Sequence, residues 1–260
     1  MGREVPGVCS WGKIRAMSML ERAEAAERAM SDELDRAIVK STIYTSGDRD
    51  PRLPAPSRPP GKRVLMGHDP RLPRMPDKPT LIDFFKYRFG PANHMMQSAR
   101  LAQKNGLPEK LVFACLVHDI GIAGFIRGDH GYWAAQLVEP YVDEEVSWAI
   151  RYHQALRFFP DEAVGYAYPK LYRELFGEDY VPDPYIQRDY RYARNHRWYM
   201  SARQICVNDL YAFDPNVKIE LEEFTDVIGR HFKQPEEGLG FDASPSSHMW
   251  RTIMWPTKYL

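Results

Sequence analysis

The stretch HMMQSARLAQKNGLPEKLVFACLVHDIG, residues 94–121, decides the fold. Two helix-forming runs, within about 91–105 and 108–121, are joined by Asn105-Gly106-Leu107-Pro108. So short a turn makes the two helices antiparallel neighbours and brings their facing side chains together. The second run, LVFACLVHDIG, is apolar until it reaches His118 and Asp119 at its end. Adjacent residues on a helix point about 100° apart. Both can therefore reach one ion only if it sits beside the helix end, and the second carboxylate oxygen is left able to bridge to another ion.

Helical patterning continues outward from this pair. Segments of about 81–88, 129–139, 142–157, 168–177, 184–213 and 220–232 read as further helices. In 142–157, Val146, Ala149, Ile150 and His153 fall at i, i+3, i+4 and i+7 on one face. Asp143, Glu144 and Glu145 place acid in the first turn, where the helix dipole favours it, and Pro140 and Pro160 bracket the segment. Strand-like alternation is nearly absent, so the class is all-α.

Three regions follow, with bounds 1–79, 80–234 and 235–260. In the first, residues 17–43 read as a surface helix or helix pair, whereas 50–79 hold nine prolines and read as a linker or an extended arm. Leu53, Val64, Leu65 and Met66 give that arm apolar anchors. The tail is broken by glycine and proline but carries Met249, Trp250, Ile253, Met254, Trp255 and Tyr259, which should dock on the body or on a second subunit.

Lysine plus arginine equals aspartate plus glutamate at 35 each, so no overall field points to nucleic acid or an acidic membrane. Arg191, Arg194 and Arg197 read as a solvated helix face. There is no run of eighteen apolar residues, and the N-terminus shows no signal-peptide core. Cys9, Cys115 and Cys206 match no zinc or redox pattern, and the last two lie in apolar helical runs as small hydrophobes. The expected compartment is the cytoplasm.

The chemistry lies in six residues. His94 is on the helix facing the one that ends in His118 and Asp119, His130 opens the next helix, and His153 lies on the apolar face already described. Asp209 shares a face with Ala202, Ile205 and Cys206, so a carboxylate points into apolar surroundings. Each alone has a bland reading as a hydrogen-bonded core residue or internal ion pair. An isolated His-Asp pair means little, since His68-Asp69 also occurs in the proline-rich arm and is assigned no role. Together, four imidazoles and two carboxylates facing inward would leave several buried polar groups unsatisfied unless a metal took them. Nitrogen and carboxylate donors without thiolate suit iron, manganese or zinc.

The order His94, His118-Asp119, His130, His153, Asp209 resembles the HD-domain superfamily of metal-dependent phosphohydrolases and oxygenases. Residues 94–121, and Arg157 four positions after His153, are most similar to its mixed-valent diiron oxygenases, which include phosphonate-oxidising enzymes and myo-inositol oxygenase. The resemblance covers about residues 84–215 and implies a helical bundle around two iron ions. Asp119 would bridge them, with His94, His118 and Asp209 on one and His130 and His153 on the other. It implies oxygen-dependent attack on a C–H bond of a small polar or acidic molecule, with Arg157 pointing its guanidinium at the pocket. The alternative for Arg157 is a surface ion pair with Asp161 or Glu162.

Where the phosphonate oxidisers usually carry histidine three positions after the HD aspartate, this chain has Ile122. Cys206 and Val207 fill the stretch where an arginine is expected. The interval from Asp119 to His130 is shorter than in those enzymes, and their tyrosine–glutamate lid is not recognisable. The competing readings are a phosphohydrolase using manganese, zinc or magnesium, and a non-catalytic metal-binding protein. Expected partners are a small-molecule substrate and O2, with no nucleic acid or membrane, and self-association through the arm or the tail.

Overall fold

The computed structural model describes residues 18–39, 73–89, 92–123, 129–177, 179–214 and 216–254. Among these the chain is helical, and its only β-type pairing is an isolated bridge between Asp161 and Tyr166. No described helix is long and apolar enough to cross a membrane. The arm as far as residue 72, with His68 and Asp69, lies outside the described residues, as do Cys9, Trp255 and Tyr259.

Helix α1 spans Met19–Val39 and α2 spans Leu81–Tyr87. A capping box starts α2: the Thr80 hydroxyl accepts from the Asp83 amide at 3.1 Å, and the Thr80 amide donates to Asp83 Oδ2 at 2.9 Å. Helices α3 (Ala92–Lys104) and α4 (Glu109–Val117) pack as the antiparallel pair expected from their short connection. That connection is a Schellman turn, with Gly106 N–H to Gln103 O at 3.0 Å and Leu107 N–H to Ala102 O at 3.0 Å. Gly106 takes φ +70°, which a residue with a Cβ enters only at a steric cost.

Helix α4 is shorter than its apolar pattern. It ends at Val117, with His118 as its C-cap, and a 3₁₀ turn follows over Ile120–Ala123. Helices α5 (His130–Val138) and α6 (Glu144–Arg157) come next. Asp143 caps α6 by accepting from the Glu145 amide at 2.9 Å. Val146, Ala149, Ile150 and His153 are fully buried, so the apolar face expected of this helix is its core face.

Short helix α7 spans Lys170–Phe176. The single helix expected over 184–213 is two, α8 (Pro184–Arg194) and α9 (Tyr199–Leu210). Asn195 breaks it by turning its side-chain amide back onto the Arg191 carbonyl at 2.9 Å, and His196 stacks on Trp148 with ring centroids 4.1 Å apart. The break lets both α8 and α9 lie against α6, which also contacts α4 and α5 and so forms the axis of the bundle. Arg191, Arg194 and Arg197 are exposed, as a solvated face requires.

The segment expected as a helix over 220–232 is a 3₁₀ turn, Leu221–Phe224, running into α10, Thr225–His231. The tail docks on the body through α11, Ser247–Met254. Trp250 is wholly buried, meets Phe84 edge-on at 5.3 Å and donates from Nε1 to the Leu137 carbonyl at 2.9 Å. Trp250→Ala should therefore lower stability by about 3–5 kcal/mol, the usual cost of deleting a large buried aromatic group. Denaturant unfolding of wild type and variant measures it. A loss below about 1 kcal/mol would mean the tail is not part of the core.

Candidate metal centre

The bundle brings all six expected residues together. Each of two groups can place one donor atom per residue within 4.8 Å of the others: His94, His118, Asp119 and Asp209 form the first, and Asp119, His130 and His153 the second. Asp119 belongs to both. Its Oδ2 lies 3.6 Å from His94 Nε2, and its Oδ1 lies 3.3 Å from His118 Nε2, 3.2 Å from His130 Nε2 and 3.8 Å from His153 Nε2. These residues come from α3, the end of α4, the start of α5, α6 and α9. Asp119 lies between the end of α4 and the 3₁₀ turn that follows it, beside His118 and between the two groups.

Three of the rings are oriented by their other nitrogen. His94 Nδ1 meets the Ala212 carbonyl at 3.1 Å, His118 Nδ1 the Cys115 carbonyl at 2.7 Å, and His153 Nδ1 the Ile150 carbonyl at 2.6 Å. A carbonyl can only accept, so each Nδ1 carries a proton and the neutral ring keeps its lone pair on Nε2, facing the cluster. His94 is held further by Phe213, which stacks on it at 4.1 Å with an 8° tilt. Gln97, one turn after His94, fixes the segment supplying Ala212 and Phe213. Its amide donates to the Asp214 carbonyl at 2.8 Å, and its oxygen accepts from the Asp214 amide at 2.8 Å.

Four donor atoms of the cluster, His94 Nε2, His118 Nε2, Asp209 Oδ1 and the Asp119 Oδ1 that lies between the groups, are buried without a hydrogen-bond partner. His94 Nε2 and Asp209 Oδ1 are 2.9 Å apart. That is close enough for a hydrogen bond, but the two atoms lack the alignment for one. Donor atoms that converge without pairing are what a cation site requires, and leaving them unmet would be costly. In the second group, His130 Nε2 and His153 Nε2 approach to 3.2 Å, a spacing suited to a shared proton or a shared ion.

Charge points the same way. Burial opposes ionisation of Asp119, yet His118, His130 and His94 outweigh it and hold the carboxyl well below the ordinary range. Burial likewise opposes ionisation of Asp209, and Arg157 chiefly overcomes it. Burial also works against charge on His94, but Asp119 and Asp209 carry its imidazolium up to about 10. His153 is pushed down to about 3 by burial, reinforced by His130 and His118, and is neutral near pH 7. Two buried carboxylates are thus ionised, with Arg157 and the His94 imidazolium beside them.

Arg157 is buried and does not take the surface ion pair with Asp161 or Glu162 that was the alternative to its pointing at the pocket. Its Nη1 donates to Asp209 Oδ2 at 2.6 Å, its Nη2 bonds Glu27 on α1, and its guanidinium lies 5.0 Å from the Tyr172 ring centre. Asp161 instead accepts from the Tyr199 hydroxyl and lies 3.8 Å from Arg203. Arg203 is wholly buried and donates to the Leu156 and Phe159 carbonyls at 3.0 and 3.1 Å, closing the C-terminal end of α6.

Residues 92–172 match the HD domain family. The match includes His94, His118, Asp119, His130, His153 and Arg157, whereas Asp209 reaches the cluster from beyond it. Over 76 residues the chain is 32% identical to (1-hydroxy-2-(trimethylamino)ethyl)phosphonate dioxygenase (glycine-betaine-forming) of Leisingera caerulea. That alignment covers 25% of this chain and 39% of the relative.

Glu27, Gln97 and Phe213 escaped the sequence reading. Gln97 had a usable signal, since it shares the inward face of His94 at i+3. Glu27 had none beyond its spacing from Glu24, because glutamate is ordinary on a surface helix. Gly131 is required for the second group: a Cβ there would lie 2.8 Å from the Ile150 carbonyl and 3.1 Å from two atoms of the His153 ring. Gly131→Ala should push α5 from α6, cost about 1–3 kcal/mol as overpacking does, and lower metal content by removing the His130–His153 half of the cluster. Elemental analysis and unfolding of the two proteins check this, and undiminished metal content would show that the close approach is not needed.

Proposed function

We propose that the chain is an HD-domain diiron oxygenase acting on a C–H bond of a small polar or acidic molecule. The observation that carries this reading is the pair of donor groups sharing Asp119, because a carboxylate common to two donor groups is the arrangement a two-ion centre needs. In this reading His94, His118 and Asp209 complete one ion's site, His130 and His153 complete the other, and Asp119 serves both. The all-nitrogen and carboxylate donor set suits iron, as does the similarity to a dioxygenase. Bound iron would supply the redox chemistry and Lewis acidity.

The chain's own part is positioning. Carbonyl contacts aim three imidazoles, the surrounding apolar helices exclude water, and Arg157 acts through its bond to Asp209. The second group has three donor residues against four in the first. It therefore leaves more coordination positions for a small molecule.

The roles of the ligands can be separated by substitution. Asp119→Ala should lose more metal than His130→Ala, since a bridging carboxylate serves two ions and a terminal imidazole one. Equal metal retention, by elemental analysis, would mean that Asp119 does not bridge.

Redox chemistry tests the activity. Protein reconstituted with iron(II), then partly oxidised without oxygen, should give a spin-coupled paramagnetic signal. Under controlled oxygen it should consume O2 with loss of a C–H bond from one of a panel of hydroxy acids, amino acids and phosphonates. Phosphate release from esters by zinc- or manganese-loaded protein, indifferent to oxygen, would replace this reading with a phosphohydrolase. Stable metal content with neither activity would leave a metal-binding protein.

A further inference from the structure

The row Glu27–Arg157–Asp209 joins a helix outside the matched HD segment to the candidate metal centre. We propose that Glu27 is a positioning residue for that centre, acting through Arg157 on Asp209, a proposal that rests on Asp209 being a metal ligand. Glu27 is buried, with 8% of its side chain exposed, and bonds Arg157 Nη2. Arg157 Nη1 engages Asp209 Oδ2 at 2.6 Å, while Asp209 Oδ1 has no hydrogen bond and lies 2.9 Å from His94 Nε2. The two carboxylate oxygens of Asp209 thus act separately, Oδ2 being fixed by the guanidinium and Oδ1 left for the ion.

The charge sequence accounts for Glu27. A guanidinium acting alone on Asp209 would draw electron density from the carboxylate and weaken it as a donor. A second carboxylate on the far side of Arg157 balances that pull; burial raises its pKa, Arg157 opposes that rise, and little water screens the pair. Two tyrosines keep Arg157 in line: the Tyr166 hydroxyl donates to its carbonyl at 3.0 Å, and the Tyr172 ring centre lies 5.0 Å from the guanidinium.

Docking of α1 does not by itself require this pair. Glu24, on the same buried face, already ties α1 to the start of α7 by accepting from the Lys170 amide at 2.6 Å. Buried ion pairs are seldom more stabilising than apolar groups of the same volume. An apolar residue at position 27 would serve for packing, so a carboxylate there points to a role at the centre. Partners that orient metal ligands typically influence affinity by about 10–100-fold.

The test uses the full chain and cobalt(II) alone as probe, with binding followed by equilibrium dialysis and by the visible absorption of the bound ion. Glu27→Gln keeps the shape and removes the charge, and it should weaken one of two bound ions by about tenfold or more and shift its absorption. Glu24→Gln, which loosens the same helix away from the centre, should bind like wild type. Combining Glu27→Gln with Arg157→Gln should weaken binding no further than Arg157→Gln alone. Should Arg157→Gln fail to fold, the comparison of Glu27→Gln with Glu24→Gln decides the matter without it. Wild-type binding by Glu27→Gln, or an equal loss in Glu24→Gln, would overturn the proposal. Failure of the wild type to bind cobalt at all would overturn the metal-centre reading beneath it, a separate result.

Discussion

Two ionised carboxylates, Asp119 and Asp209, sit in a helical core that excludes water, and their neighbours are arranged to meet that charge. Each is 5% exposed or less, so neither can be solvated from outside. Four imidazoles and one guanidinium surround them, and carbonyl contacts fix three of those rings. Apolar helices alone would pack in many registers. The requirement that His94, His118, His130 and His153 all face one pair of carboxylates selects this one.

Much of this was legible in residues 94–121, because a short turn between two helical runs fixes their direction and the His-Asp pair marks where the second run meets something polar. The buried face of α6 was equally plain, as Val146, Ala149, Ile150 and His153 repeat at helical spacing. Asp209 could be placed for the same reason: its neighbours at i−3, i−4 and i−7 are apolar, which says where the carboxylate points. The break between α8 and α9 was hidden, since 184–213 contains no glycine and no proline after Pro184. The Asn195 side chain turning back onto the Arg191 carbonyl is local, but the stacking of His196 on Trp148 is tertiary, and periodicity carries no information about a partner on another helix.

The partners of Arg157 were hidden for a related reason. Sequence spacing placed it on the face of His153, which is correct, but could not say what lay opposite. One partner is 52 residues later and the other 130 residues earlier. The nearest acids in sequence, Asp161 and Glu162, were the natural expectation for an exposed side chain, and burial of Arg157 removes it from their reach. Local rules describe the helix on which a residue sits, while the pairing of buried charges is settled by which helices the core brings together.

The segment that matches the HD family ends at residue 172, before Asp209, and begins long after Glu27. The cluster therefore does not coincide with the recognisable stretch. Five of its six candidate ligands are carried there, whereas the sixth arrives on α9 and its support arrives on α1. This division has a physical consequence. Without Asp209 and Glu27, Arg157 would bring a positive charge to the cluster with neither carboxylate to balance it, and a guanidinium beside a prospective cation repels it. Docking of α9 supplies Asp209, which reverses the sign of that interaction. Docking of α1 supplies Glu27, which keeps Asp209 from being neutralised in turn. The flanking helices thus set the net charge of the centre, and with it the affinity for a cation, although the imidazoles that would hold the ion come from elsewhere.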